Sequence, residues 1–442
     1  YIDENTSLQA NIDADGKLDA SLNSQRIALK GQFVKNLKLS LDNSDNRLDG
    51  EATCDSLKVS TVNLINDRLE LLAHDNHIGA RFVYDNESDI LNKGEIVVTG
   101  NVERDNEGLG MRLDISPSAL YVNSREWNIL ESSLMFKGKD LHVDGFEMTS
   151  GDQRLLLSGG TSAEHADTLS LDLERFDISL VNALLGDDFG IRGAASGNVK
   201  IVSPIVDNSF SGSILCDSTY IAGEPLGELD LNGIWNEEFE RYDLRIRNMM
   251  EGHSSIDATA KLNPATRMLD AVISLDKLHT AYAEPFLEEI FSEMGGYISG
   301  NIILDGPFDN LAISSEGTRL EETMLKVAYT NVPYFADGTF HLNDDGVFFD
   351  DITIRDRATG TGSVTGSIDW DRLKDIRFNT RIKVNEIEGV NVTEDMADVF
   401  YGNIYATGNI GISGPTQSLR MDIDAFTTRE GQLHIPLTNL SS

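Results

Sequence analysis

The stretch NIGISGPTQSLRMDIDA, residues 409–425, alternates apolar and polar side chains on both sides of a turn. Ile410 and Ile412 precede the turn, and Leu419, Met421, Ile423 and Ala425 follow it. A period of two places one side-chain set on each face of a strand, so the stretch predicts two strands with one dry face and one wet face. Gly414 and Pro415 close the first run, since proline cannot donate to a strand ladder. The same alternation returns in Leu169, Leu171 and Leu173, and again in Leu433, Ile435 and Leu437. Turn signals such as DADGK at 13–17, DNSDNRLDG at 42–50, NPATR at 263–267 and NDDG at 343–346 recur too often to leave room for long helices. The fold class read from these patterns is all-β with a few short helices.

Residues 402–415 also belong to a repeated phrase. GAASGNVKIVSP runs from Gly193 to Pro204, GYISGNIILDGP from Gly296 to Pro307, and GNIYATGNIGISGP from Gly402 to Pro415. In each, proline follows asparagine six residues on, and the three prolines stand roughly a hundred residues apart. Gly197, Gly300 and Gly408 are expected to allow a tight start to a strand, with Val199, Ile201, Ile302 and Leu304 facing a core and Pro204, Pro307 and Pro415 ending the run. Gly100-Asn101-Val102 is a possible earlier copy that lacks the proline.

Three segments read as helices that precede these phrases: 179–185, 281–294 and 393–400. In the second, Thr280 is placed to cap, Pro285 falls in the first turns, and Tyr282, Phe286, Ile290 and Met294 recur at i+4 as a stripe facing the sheet. The chain therefore divides into an N-terminal β segment (1–93), a degenerate repeat (94–190), two repeats (191–294 and 295–401) and the start of another (402–442). No linker-like composition separates them, so continuous stacking into an elongated assembly is expected.

Composition narrows the function. With 73 acidic against 36 basic residues the net charge is −37, which repels nucleic-acid phosphates and excludes nucleic acid as a partner. No run reaches the roughly 20 apolar residues a membrane-spanning helix requires. The opening YIDENTSLQA has neither an initiator Met nor a signal-peptide core, so any anchor or export signal is expected upstream. Cys54 and Cys216 form no disulfide framework or metal spacing. His74 and His77 lack a companion ligand, so neither a metal site nor a cofactor is expected. Adjacent acids such as Asp344–Asp345, Asp350–Asp351 and Glu288–Glu289 lack the opposed placement that general acid chemistry needs. The Gly-Asn phrases have no following Lys-Ser or Lys-Thr to make a phosphate loop. The chain is therefore read as not an enzyme, with a carbohydrate-active β-helix as the remote alternative.

What remains is apolar area. The period-two pattern fits a closed sandwich, a β-helix or an open trough, and for alternating strands in general a closed core is the commoner outcome. In an open trough each exposed Ile, Leu or Val would cost roughly 1.5–3 kcal/mol relative to burial, and acyl chains are the natural cover.

The closing stretch FYGNIYATGNIGISGPTQSLRMDIDAFTTREGQLHIPL resembles the TamB family of AsmA-like envelope proteins. Gly408, Ile410, Ile412, Gly414 and Pro415, followed by Ile435, Pro436 and Leu437, carry the likeness. A second stretch, MRLDISPSALYVNSREWNILESSLMFKGKDLHVDGFEMTSGDQRLLLSGG, is similar to another unit of that family through Pro117, Tyr121, Trp127, Leu155, Leu157 and Gly159. The resemblance implies a taco-like β trough with an apolar interior, lying in the periplasm and anchored in the inner membrane outside this segment. It also implies a role in outer-membrane biogenesis, with phospholipid or another acyl lipid and an outer-membrane barrel protein as partners. On that reading the groove is lined by Leu169, Leu171, Leu173, Val199, Ile201, Ile302, Leu304, Ile410, Ile412, Leu419, Met421, Ile423, Leu433, Ile435 and Leu437. The alternative is a scaffold that assists barrel assembly by strand pairing.

Overall fold

The computed structural model describes residues 3–435 apart from 30–31, 44–46, 60–61, 87–89, 106–107, 139, 163–166, 182–189, 203–208, 289, 309, 372–373, 397–399 and 416–417. The protein is built almost entirely of strands, and the described pairings are antiparallel. Two compact units are present: Tyr1–Thr219 with Asn232–Ile234, and Tyr220–Leu231 with Trp235–Ser442.

In the first unit each strand from Ser7–Ile12 to Lys93–Asp105 pairs with the next in sequence. The turns explain why. His74 and His77 flank a two-residue hairpin whose central Asp75 and Asn76 both have positive φ, 45° and 67°, the backbone that matches strand twist. Next comes one long hairpin with a break. Gly108–Ile115 continues as Ser118–Val122, and Arg125–Ile129 continues as Ser132–Lys137, with the interruption at Pro117. Asp140–Ser150, Gln153–Thr161, Thr168–Asp177 and Arg192–Val202 complete the described ladder. Tyr84, Ile115, Leu120, Trp127 and Ile129 form its buried core, joined by Phe82, Ile96, Phe146 and Phe176. The Trp127 and Phe176 rings lie 5.8 Å apart although two strands separate them in the ladder, so the sheet curls on itself.

In the second unit the strands from Arg241–Met249 to Tyr401–Pro415 again pair in chain order. Arg420–Thr427 and Gln432–His434 then share Tyr401–Pro415 as their partner. Curling recurs here. The Tyr334 hydroxyl on Val332–Asn343 donates to the Glu388 carbonyl on Lys374–Val392 at 2.8 Å, and the Asn391 amide donates to the Thr330 carbonyl at 2.9 Å. Gly346–Arg355 and Thr361–Asp371 lie between those two strands in the ladder.

The repeated phrase is a bulge device. Leu173 faces Gly197 while Phe176 faces Ala195; Leu275 faces Gly300 while Leu278 faces Ile298; Val384 faces Gly408 while Ile387 faces Ala406. Two residues on the earlier strand thus oppose one on the phrase. The second of each pair, Arg175, Lys277 or Glu386, has φ of 46°, 52° or 51°, a left-handed conformation that costs non-glycine residues about 1–2 kcal/mol. Its amide donates to the hydroxyl of the opposing residue: Arg175 to Ser196 at 2.9 Å, Lys277 to Ser299 at 3.1 Å and Glu386 to Thr407 at 2.8 Å. The bond offsets part of the backbone cost and satisfies a donor that the ladder leaves unpaired. Glycine follows that hydroxyl residue because a Cβ there would strike the next strand: at Gly197 it would lie 2.1 Å from the Ser213 carbonyl oxygen, and at Gly408 2.2 Å from that of Asp424. Glu322 facing Asp337-Gly338 repeats the arrangement with a carboxylate acceptor at 2.7 Å.

Several expectations change. The phrase glycines lie inside their strands, which begin at Arg192, Phe291 and Tyr401, and not at strand starts. Pro307 and Pro415 do end theirs, and Pro204 lies outside the described residues. Gly100 pairs with Ile78 in plain register without a bulge, so the fourth copy lacks the device. The helices shrink: Ile178–Val181 and Glu394–Met396 are single 3₁₀ turns, and 182–185 of the first segment and 397–399 of the third fall outside the described residues. The segment 281–294 keeps only a 3₁₀ turn, Thr280–Ala283, and one α turn, Glu284–Leu287. His279, not Thr280, caps it, accepting from the Ala281 amide through its ring nitrogen. Met294 has joined the strand Phe291–Pro307, which breaks the predicted i+4 stripe. Nucleating a helix is unfavourable in so short a segment, and strand pairing with Ala312–Val327 takes its second half.

Candidate functional site

The apolar rows predicted from sequence come together across strands within each unit. Leu171 sits opposite both Leu157 and Val199, and Leu169 opposite Ile201. In the second unit Ile302 faces Ile273, and Leu304 faces Ala271 and Ile313. Ile410 lies between Ile382 and Ile423, and Ile412 faces Met421. Antiparallel register makes each row continuous because directly paired side chains share a face.

These rows are open. Leu169, Leu171, Leu173, Val199, Ile201, Ile302, Leu304, Ile410 and Ile412 are all half-buried, and none is sealed. Leu419, Met421, Ile423, Leu433 and Ile435 are exposed, Ile423 at 63%. Leu437 lies outside the described residues. The sealed apolar side chains of the second unit lie mainly beyond the bulges, where the sheet curls shut: Met294, Val332, Ala336, Ile352, Ile387 and Val392. Val332 is 0% exposed and Ile387 2%, against the half-buried Ile382 and Ile410 on the near side of the same bulge. The change from half-buried to sealed thus falls close to the bulge, with Val384, at 4%, already sealed on its near side.

Polar groups are buried alongside the apolar ones, and several are held by specific bonds. Glu388 is buried and accepts from the Asn403 side-chain amide at 2.6 Å, while its own amide donates to Asp356 at 2.8 Å. Burial drives the Tyr334 hydroxyl well above the usual tyrosine range, with Glu388 and Asp356 adding to the effect. In the first unit the Cys54 thiol donates to Asp67 Oδ2 at 3.2 Å, while Asp67 Oδ1 has no protein partner. Burial pushes the Cys54 thiol up to about 12, helped by Asp67, and burial also raises the Asp67 carboxyl. The two cysteines are separately buried and free.

The opposite face holds the charge. Arg68 bridges Glu51 and Glu70, and Arg81 bridges Glu70 and Glu95, in an exposed ladder across four strands. Such exposed pairs contribute about 0–1 kcal/mol each and keep this face wet. His74 and His77 stand 6.0 Å apart by ring centroid, and among the described residues no three His, Cys, Asp or Glu side chains group to hold a metal ion. No helix of the described residues is long and apolar enough to cross a membrane.

No protein-family model, curated protein or solved structure matches the chain.

Sequence reasoning did not identify Ser196, Ser299 and Thr407 as bulge acceptors. The signal was present, since all three phrases read Ser-Gly-Asn or Thr-Gly-Asn. Asp67 and Ile387 gave no such signal, because their burial depends on strands distant in the chain.

Proposed function

We propose that the open apolar face shelters the acyl chains of lipids, in a non-enzymatic protein of the cell envelope resembling the TamB family. The observation that carries the reading is the Val364–Ile382–Ile410–Ile423 row, in which register aligns apolar side chains across four strands that remain half-buried or exposed. Leaving such a row in water costs roughly 25 cal/mol for each Å² of apolar surface, which acyl chains would recover without any specific polar contact. The charged opposite face keeps the assembly in water while the apolar face is occupied. On this reading the chain works in the periplasm, passing or holding phospholipid between inner and outer membranes, with an anchor elsewhere in the protein.

The test is photo-crosslinking from Ile412 and Ile423 to lipid tails, with Ile387 as the buried control, and native mass spectrometry of protein purified without detergent. Lipid adducts at the first two positions and none at the third are expected. Protein free of lipid by both methods would remove the reading. Strand-to-strand crosslinks from Arg420–Thr427 to a nascent barrel protein, with lipid absent, would replace it with the scaffold alternative.

A further inference from the structure

The second unit carries a cleft of about 640 Å³ lined by Tyr282, Tyr297, His279, Met250, Glu224 and Glu251. It lies away from the apolar rows: at the Met268–His279 and Phe291–Pro307 pairing, His279 and Tyr297 sit on one face, while Leu278 and Ile298 sit on the other with Ile302. Its walls are aromatic. The His279 ring meets Tyr297 edge-on at 5.7 Å, and Tyr282 is fixed by donating its hydroxyl to the Pro225 carbonyl at 2.7 Å. Tyr297 and Met250 are each 42% exposed, leaving apolar surface free to receive a ligand.

The charges around that wall are negative. Glu224 and Glu251 form no ion pair among the described residues, and Asp276 contributes a third carboxylate. The His253 ring is engaged with the Asp276 carbonyl at 2.9 Å. Lys277 is the one lysine or arginine lining the cleft, and it also acts on Glu321, which lies outside the lining.

A cleft stands at the corresponding place in the first unit, beside the Arg175 bulge, lined by Arg125, Asp152, Arg175, Asp177 and Arg192. There the charges are mixed and paired, as Arg175 with Asp152 at 2.5 Å and Arg125 with Asp177 at 3.5 Å, and no aromatic residue lines it. The fold thus provides the recess twice, and of the two the second combines aromatic walls with the unpaired carboxylates of Glu224 and Glu251, Asp276 standing 3.9 Å from the His253 ring nitrogen.

We propose that the cleft of Tyr282, Tyr297, Glu224 and Glu251 binds an organic ammonium group. Aromatic faces attract such a cation through their quadrupoles, and carboxylates at the rim supply the long-range attraction. The ammonium could be a free amine or the headgroup of a zwitterionic lipid, and the chemistry is shared.

The experiment titrates the full chain with tetramethylammonium and with ethanolammonium, followed by saturation-transfer NMR, and separately measures retention on phosphatidylcholine and phosphatidylglycerol vesicles. Saturable binding is expected, weakened at least about 5-fold by Tyr297→Ala and by the pair Glu224→Gln with Glu251→Gln, and kept by Tyr297→Phe. Arg125→Ala in the first unit leaves it unchanged. Retention on phosphatidylcholine alone, lost in the same variants, identifies a lipid headgroup. Binding of the free cations without vesicle retention identifies a soluble amine. Failure of both to bind, or binding that survives all the cleft variants, overturns the proposal.

Discussion

Ile382 and Ile387 stand five residues apart on one strand, on either side of the bulge at Asn385 and Glu386, yet the first is half-buried and the second sealed. Both are isoleucines paired across an antiparallel ladder, Ile382 with Ile410 and Ile387 with Ala406. The difference comes from what lies opposite. Beyond the bulge the strand meets Val332–Asn343 through the Tyr334–Glu388 bond, and side chains enclose one another. Before it, Val364, Ile382 and Ile410 stay half-buried and Ile423 exposed, while Val384 beside the bulge is already sealed. The comparison teaches that one apolar pattern can serve as core or as binding surface, and that a one-residue insertion in the ladder lies at the change.

The largest effect should come from the sealed side. Ile387→Ala is expected to destabilise the second unit by about 2–5 kcal/mol, while Ile410→Ala changes stability by less than about 1 kcal/mol, both measured by urea unfolding. Equal effects would break the distinction between closed end and open face.

Close behind is Gly197→Ala. The added methyl meets the Ser213 carbonyl oxygen, and the residue holds φ of 154°, so a loss of about 2–4 kcal/mol is expected in the first unit. Gly79→Ala is the control, since a Cβ there meets nothing within 4 Å. Thermal unfolding of both variants separates backbone collision from a general intolerance of substitution in strands.

Thr407→Val removes the acceptor for the Glu386 amide while keeping shape. A loss of about 1 kcal/mol is expected, with faster hydrogen exchange at Glu386. Unchanged exchange at that amide would show that the hydroxyl does not hold the bulge.

The smallest change is one of pH response. Asp67 is raised above the ordinary carboxylate range by burial, so its protonated form is the one the fold favours. Its contribution is fully present below the unfolded value, about 3.9, and is lost as pH rises through the higher folded value. Asp67→Asn should flatten that decline, leaving the variant less sensitive to rising pH than the parent chain in parallel denaturation curves.

Much of this was legible in the chain. Alternation in LSLDL and NIGIS named the strands, and the register then placed Leu171 against Val199 and Ile410 against Ile423. The repeated Gly-Asn phrases stand out as a recurrence, but they read as strand starts, and the bulges that they carry emerge only from the register. The helix at 281–294 was misread because its i+4 apolar spacing also supplies Met294 to a strand, and pairing with Ala312–Val327 outcompeted a helix too short to nucleate.

By itself, then, the sequence determined the strands, their two faces and the hundred-residue recurrence, because alternation and turn chemistry are local properties of the chain. Tertiary structure alone decided which apolar residues are sealed and which stay open, and where tyrosines, histidines and carboxylates meet in one cleft. Those outcomes depend on how far a sheet curls and on which distant strand lies across from it, and no local pattern encodes either.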